Sequence, residues 1–204
     1  MNRRELLKLA IAGPSVLAAA AAGAAEQGCP TDGTPAQFIP KKPADPRPTE
    51  NDLGKYPKCP YCGMDRREYH HARHLVHYAD DLADGVCSLH CAALSLALNI
   101  DRDPKAIYGA DYGASADPRP LVKVDKAVYL IGGSLKGVMT KRPKFAFADR
   151  AAAEAARDRH GGELGDFQAA LTASYLDMSE DVKMIRRARA ERRRRMLEQK
   201  PPQG

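Results

Sequence analysis

Apolar positions are spread unevenly along the 204 residues. Residues 1–25 are apolar and small after a basic start, residues 26–55 are rich in Pro and polar side chains, and the last stretch is rich in Arg. Between these ends the pattern predicts interleaved strands and helices. His74–Tyr78 alternates, with Leu75 and His77 on one face and His74, Val76 and Tyr78 on the other, which predicts a strand. "DDLADG", Asp80–Gly85, is a turn signal. An apolar run over Ala92–Leu98, opened at Val86 or Ser88 and stopped by Asn99, predicts a helix.

The pattern then weakens. Asp101–Pro120 reads as a polar connector with Gly and Pro. Leu121–Gly133 suits one or two strands, Ser134–Pro143 a loop and Lys144–Asp149 a short strand. Asp149 caps an Ala-rich helix that Gly161 and Gly162 stop, with His160 at its negative end. Glu163–Phe167 predicts an edge strand and Gln168–Leu176 a last helix. A separate helix is expected from Ser179, with Glu180 and Asp181 in its first turn and a thin stripe of Val182, Ile185, Ala188 or Arg189, and Met196.

The fold class is therefore α+β, with two small β-rich halves, separated near residue 105, and packed helices. With no Trp and four Phe, the core must be built from Leu, Val, Ile, Ala and Tyr. The expected organisation is an export segment at 1–25, a Pro-rich linker at 26–55, a metal-binding domain at 56–176 and a basic helix or tail at 177–204.

Charge adds information through its location. The net +6 sits at the ends: 177–204 holds nine Lys and Arg against five Asp and Glu, and 1–25 holds three against Glu5. The middle is close to neutral, so no nucleic acid is expected as a partner. The tail reads as a solvated helix, or as an arm for a membrane surface or an acidic partner. "NRRELLK" within the opening segment resembles a twin-arginine export signal, and Ala22-Gly23-Ala24 offers a cleavage site. Lys8, Gly13 and Pro14 argue against a permanent span, so the expected location is the periplasm. Cys29 follows Glu26 and Gln27, which suit lipidation poorly, and reads as a spare thiol or a weak metal ligand.

The chemistry is concentrated between Lys58 and Cys91, which holds four of the five cysteines and five of the six histidines. Cys59 and Cys62 form a C-x2-C pair in a turn, and Cys87 and Cys91 form a C-x3-C pair at a helix start, where the dipole lowers a thiol's pKa. Four thiolates from two such pairs can converge on a tetrahedral centre. Three readings stay open: a structural Zn(II) knuckle of treble-clef type, two disulfides in an oxidising compartment, or a Cu(I) site. Met64, in the polar turn "CGMD", and Met139, in the polar loop "KGVMTKRP", favour the softer metal. His90, between Cys87 and Cys91, is a further candidate ligand, whereas His70 and His71 read as exposed and His74 and His77 point to opposite faces. A thiol oxidoreductase built on Cys59-Pro60-Tyr61-Cys62 is disfavoured by Gly63, which marks a turn. No Ser-His-Asp set, carboxylate pair or phosphate loop is evident, and the chain does not read as an enzyme.

"CPYCGM", then "DGVCSLHCAAL", then a Gly-x-Met loop and "FAFADRAAAEAARDRHGGELGDF", together resemble the NosL family of nitrous oxide reductase accessory proteins over Cys59–Phe167. The resemblance implies an exported α+β protein of two related halves, distantly like organomercurial lyase. It implies Cu(I) binding and delivery to apo nitrous oxide reductase, with Cys62, Met64, Cys91 and Met139 at the motif positions. Cys87 and His90 are additional to that pattern. "CPYCGM" with "CSLHC" also resembles the heavy-metal-handling TRASH fingers, which keeps a zinc or interaction module as the alternative.

Overall fold

The computed structural model describes residues 36–199, so the expected export segment, Cys29 and residues 200–204 lie outside the described residues. One antiparallel sheet places β1 (His74–Tyr78) between β2 (Ala83–Val86) and β3 (Pro104–Ala110), with β4 (Leu121–Lys123) beyond β3. A second antiparallel sheet places β5 (Val128–Ile131) between β6 (Lys144–Phe147) and β7 (Glu163–Gly165). The helices are α1 (Asp52–Lys55), α2 (Leu89–Leu98), α3 (Arg150–His160) and α4 (Phe167–Glu198). The fold is thus α+β with two β-rich halves, but they divide between Lys123 and Val128 and not near residue 105, because β3 and β4 pair into the first sheet.

The halves share one core. A parallel bridge pairs Asp111 with Ala146 next to β3 and in β6. Across the sheets, His74 Nε2 lies 2.9 Å from the Tyr129 hydroxyl. Val76 and Tyr78 of β1 face this main core, while Leu75 joins Tyr56 and Ala83 on the other side, as the alternation requires. α2 packs on β1, β2 and α4. Among the described residues, no helix is long and apolar enough to cross a membrane.

Four elements differ from the expectation. The connector expected at 101–120 contains β3, a central strand. Its Pro104 sits at the first strand position, opposite Tyr78, where the register with β1 shifts, a place that tolerates a missing N–H. The turn expected over Asp80–Gly85 ends early, because Ala83–Val86 form β2 and Asp84 is buried there. Within the reach expected as a linker, Asp52–Lys55 form α1, with Asp52 and Leu53 buried. Finally, α4 runs unbroken through Ser179. Asp166 caps it by accepting from the Ala169 N–H at 2.8 Å, and no Gly or Pro lies between Phe167 and Glu198 to break it.

α3 starts and stops as expected. The Asp149 side chain accepts from the Ala151 N–H at 3.0 Å, and Gly161 takes a positive φ of 70° at the end.

Candidate metal centre

The first half of the centre is a tight knuckle. Lys58 and Asp65 pair across it, the Cys59 N–H donates to the Met64 carbonyl at 2.9 Å, and the Gly63 N–H donates to the Cys59 carbonyl at 2.9 Å. Gly63 has φ +77°, a conformation that L side chains rarely adopt, which explains glycine after the C-x2-C pair. The second half is the end of β2 and the first turn of α2. Cys87 follows Val86, Ser88 is the N-cap, and Cys91 is the third residue of the helix.

These halves bring Cys59, Cys62, Cys87 and Cys91 together, with all four sulfurs within 4.8 Å of one another. Cys62 Sγ lies 3.4 Å from Cys87 Sγ, and Cys87 Sγ lies 3.7 Å from Cys91 Sγ. A tetrahedral ion bonded to sulfur at about 2.3 Å would separate neighbouring sulfurs by roughly 3.8 Å. The donor set therefore fits a thiophilic ion with little movement. All four are free thiols, and they surround one point instead of separating into two pairs. Cys59, Cys87 and Cys91 are buried, whereas Cys62 is half-buried.

The charge distribution within the cluster departs from the helix-dipole expectation. Cys59, in the turn, is held far below the ordinary thiol range because Cys62, Cys87 and Cys91 surround it as hydrogen-bonding partners that favour its thiolate. Cys87 and Cys91 are pushed up, first by their hydrogen bonds to Cys59 and Cys62. Cys62 is lowered as well, so the thiolate charge gathers on the knuckle pair, and a cation is needed to draw the protons from Cys87 and Cys91.

Two buried networks hold the halves in place. The Arg66 guanidinium donates to the Tyr56 carbonyl at 2.6 Å, the His74 carbonyl at 3.2 Å and the Val86 carbonyl at 3.2 Å. It also meets Asp52 Oδ2 at 2.9 Å, and Arg73 Nε shares that carboxylate at 2.9 Å. Arg66 thus ties the knuckle to the strand end that carries Cys87. In the second network, the Tyr61 hydroxyl donates to Asp84 Oδ2 at 2.5 Å, and Ser95 of α2 donates to the same oxygen at 2.7 Å. Burial pushes the Asp84 carboxyl up, against the two hydroxyl donors that favour its charged form.

A groove of about 620 Å³ opens at Cys62. Met64 lines it from the knuckle and Met139 from the loop between β5 and β6. Met139 has φ +63°, rare for a side chain of its size. The third wall is α4, with Met184, Ile185 and Ala188, and Arg189 donates to the Cys62 carbonyl at 3.1 Å.

Of the sequence-predicted residues, the four cysteines form the cluster and Met64 and Met139 line its mouth. His90 is placed elsewhere. Its Nδ1 lies 3.4 Å from Asp181 Oδ2 of α4, because one helical step from Cys91 turns it about 100° away. The other histidines also stay apart from the sulfurs: His77 bonds Asp81 and His160 meets Ser134, while His70 and His71 are half-buried instead of exposed. Sequence reasoning missed Met184, Arg189 and Asp181. The i, i+3, i+7 spacing of Asp181, Met184 and Ala188 is a signal only once α4 is continuous with the core.

A family model described as NosL matches residues 50–175, more than half of the chain. The chain belongs to the NosL family. The matched region ends inside α4, so the groove's third wall lies beyond the matched residues. No curated protein matches the chain. Among solved structures it is similar to the crystal structure of the copper chaperone NosL from Shewanella denitrificans. The identity is 23% over 54% of this chain and 87% of that chain, with a TM-score of 0.46.

Proposed function

We propose that this NosL-family protein binds Cu(I) and hands it to an apo copper enzyme, with nitrous oxide reductase, the client that the family resemblance implies, as the favoured recipient. The exchange takes place in the periplasm, and the protein is not itself an enzyme. The observation that carries this reading is the half-exposed Cys62, which joins the buried thiols to a groove walled by Met64 and Met139. Thiolate with thioether selects Cu(I). A closed site holds its metal, whereas an open edge admits a partner's ligands.

Transfer is ligand exchange. Cys59, Cys87 and Cys91 hold the ion from below. An incoming thiolate, thioether or imidazole reaches it from the Cys62 side. The basic residues of α4 beside the groove would meet an acidic partner or an anionic membrane surface there.

The alternative is a structural Zn(II) knuckle, favoured by the four-sulfur convergence alone. Anaerobic titration of the reduced protein lacking residues 1–25 with Cu(I), against a coloured Cu(I) chelator and with Zn(II) in competition, separates the two. One Cu(I) per chain that survives excess Zn(II) supports the chaperone. Tight Zn(II) with weak Cu(I) overturns it.

A further inference from the structure

Met184 stands on the third wall of the groove, on the part of α4 beyond the NosL match. Three thioethers therefore line one space, from the knuckle, the β5–β6 loop and α4. A methionine packed in a core serves as filler. Met64 and Met139 pack against the main core, but Met184 joins neither core cluster and is half-buried.

The position of Met184 is fixed from both sides. One turn earlier, the buried Asp181 accepts from the Lys141 N–H at 3.2 Å and meets His90 Nδ1 at 3.4 Å. Five residues later, Arg189 holds the Cys62 carbonyl at 3.1 Å. The first contact ties α4 to the loop that carries Met139, and the second ties it to the knuckle that carries Met64. The left-handed Met139 fits the same picture, since a non-glycine residue in that conformation costs on the order of 1 kcal/mol and persists where its surroundings fix it.

We propose that Met184 is a soft-metal ligand, and that with Met64 and Met139 it forms a three-thioether landing site for a monovalent soft cation, outside the four-thiol cluster. The proposal rests on the copper reading above. Thioethers are neutral and soft, so they favour a soft monovalent cation over Zn(II) and hold it less firmly than thiolates do. Such a site suits an ion in passage, while the thiolates below retain it.

The test uses the full chain, reduced, with carbon-13 in its methionine methyl groups. It is titrated anaerobically with Cu(I), and with Ag(I) as a redox-stable probe, and followed by NMR. Methyl signals are assigned by single substitutions. Met184→Leu preserves volume and helix propensity, and Met196→Leu, at an exposed position, is the control. The first equivalent fills the thiolates and leaves the Met184 methyl in place. The second shifts the methyls of Met64, Met139 and Met184 together, and Zn(II) shifts none of them. Met184→Leu weakens the second equivalent about tenfold or more and leaves the first unchanged. A second equivalent that spares the Met184 methyl, or a Met184→Leu protein that binds it as tightly as wild type, overturns the landing site alone. If neither ion binds even at the first equivalent, the copper reading fails and the landing site fails with it.

Discussion

The Arg189 guanidinium donates a hydrogen bond to the main-chain carbonyl of Cys62, 3.1 Å away and 127 positions earlier in the chain. This contact closes the gap between α4 and the knuckle on the side where Cys62 is reachable. It is exposed, so its net worth is about 1 kcal/mol or less. Arg189→Ala should leave thermal stability nearly unchanged and raise the alkylation rate of Cys62 up to about fivefold. Mass spectrometry after brief iodoacetamide treatment, with Cys91 as internal reference, measures this. Equal rates in the two proteins would mean that α4 does not guard the thiol.

Asp181 carries a larger share of the α4 attachment. It is 2% exposed and meets both the Lys141 N–H and His90. Asp181→Ala strips the buried His90 and the part-buried Lys141 N–H of their partner, at a cost of about 1–3 kcal/mol. The urea midpoint should fall accordingly, with an unchanged slope. A loss under about 1 kcal/mol would show that water replaces the carboxylate.

His74 predicts an acid-side loss of stability. It is fully enclosed between the Ala72 carbonyl and the Tyr129 hydroxyl, and burial lowers its pKa to about 4. The unfolded chain therefore takes up this proton at higher pH than the folded one. Stability is fully present above about pH 6.5, falls as pH drops toward 4, and is reduced by about 3 kcal/mol below that. Urea unfolding of the metal-free protein at pH 7.5, 6 and 5 tests the slope, with His74→Gln as comparison. A wild-type profile as flat as the variant's would contradict the assignment.

Arg66→Met removes the cation that joins α1, β1 and the end of β2. Breaking one side of a buried ion pair costs about 3–5 kcal/mol, and the paired carbonyls lose their donor as well. The metal-free variant should melt far below wild type and recover part of the difference when the cluster is loaded. Calorimetry with and without metal reads both effects. A variant that melts like wild type would place the strength of the knuckle in the Tyr61–Asp84–Ser95 network.

Much of this site was legible in the sequence, because its signals are local. Two cysteine pairs at fixed spacing, a glycine after the first and a helix after the second placed four sulfurs together without knowledge of the fold. Asp149 and Gly161 marked α3 for the same reason. What escaped depends on distant partners. Pro104 read as a connector because its pairing partner, Tyr78, lies 26 positions earlier. His90 read as a candidate ligand because its neighbours are cysteines, yet it engages Asp181, 91 positions later. Met184 reads as part of a solvated tail because Ser179-Glu180-Asp181 has the composition of a helix start, although no Gly or Pro interrupts α4 there. The low thiol was assigned to the helix start because a dipole is visible in sequence and a ring of sulfur contacts is not.

The Arg66 clamp sets how metal affinity and folding are related. In a small zinc finger the ion supplies the folding free energy, and its removal unfolds the chain. Here the arginine and its carbonyl partners fix the knuckle against β2 through contacts that involve no metal. The reorganisation between loaded and empty forms is correspondingly small. On the copper reading proposed above, these contacts would outlast the ion, so the emptied chain is expected to keep its knuckle and to be loaded again.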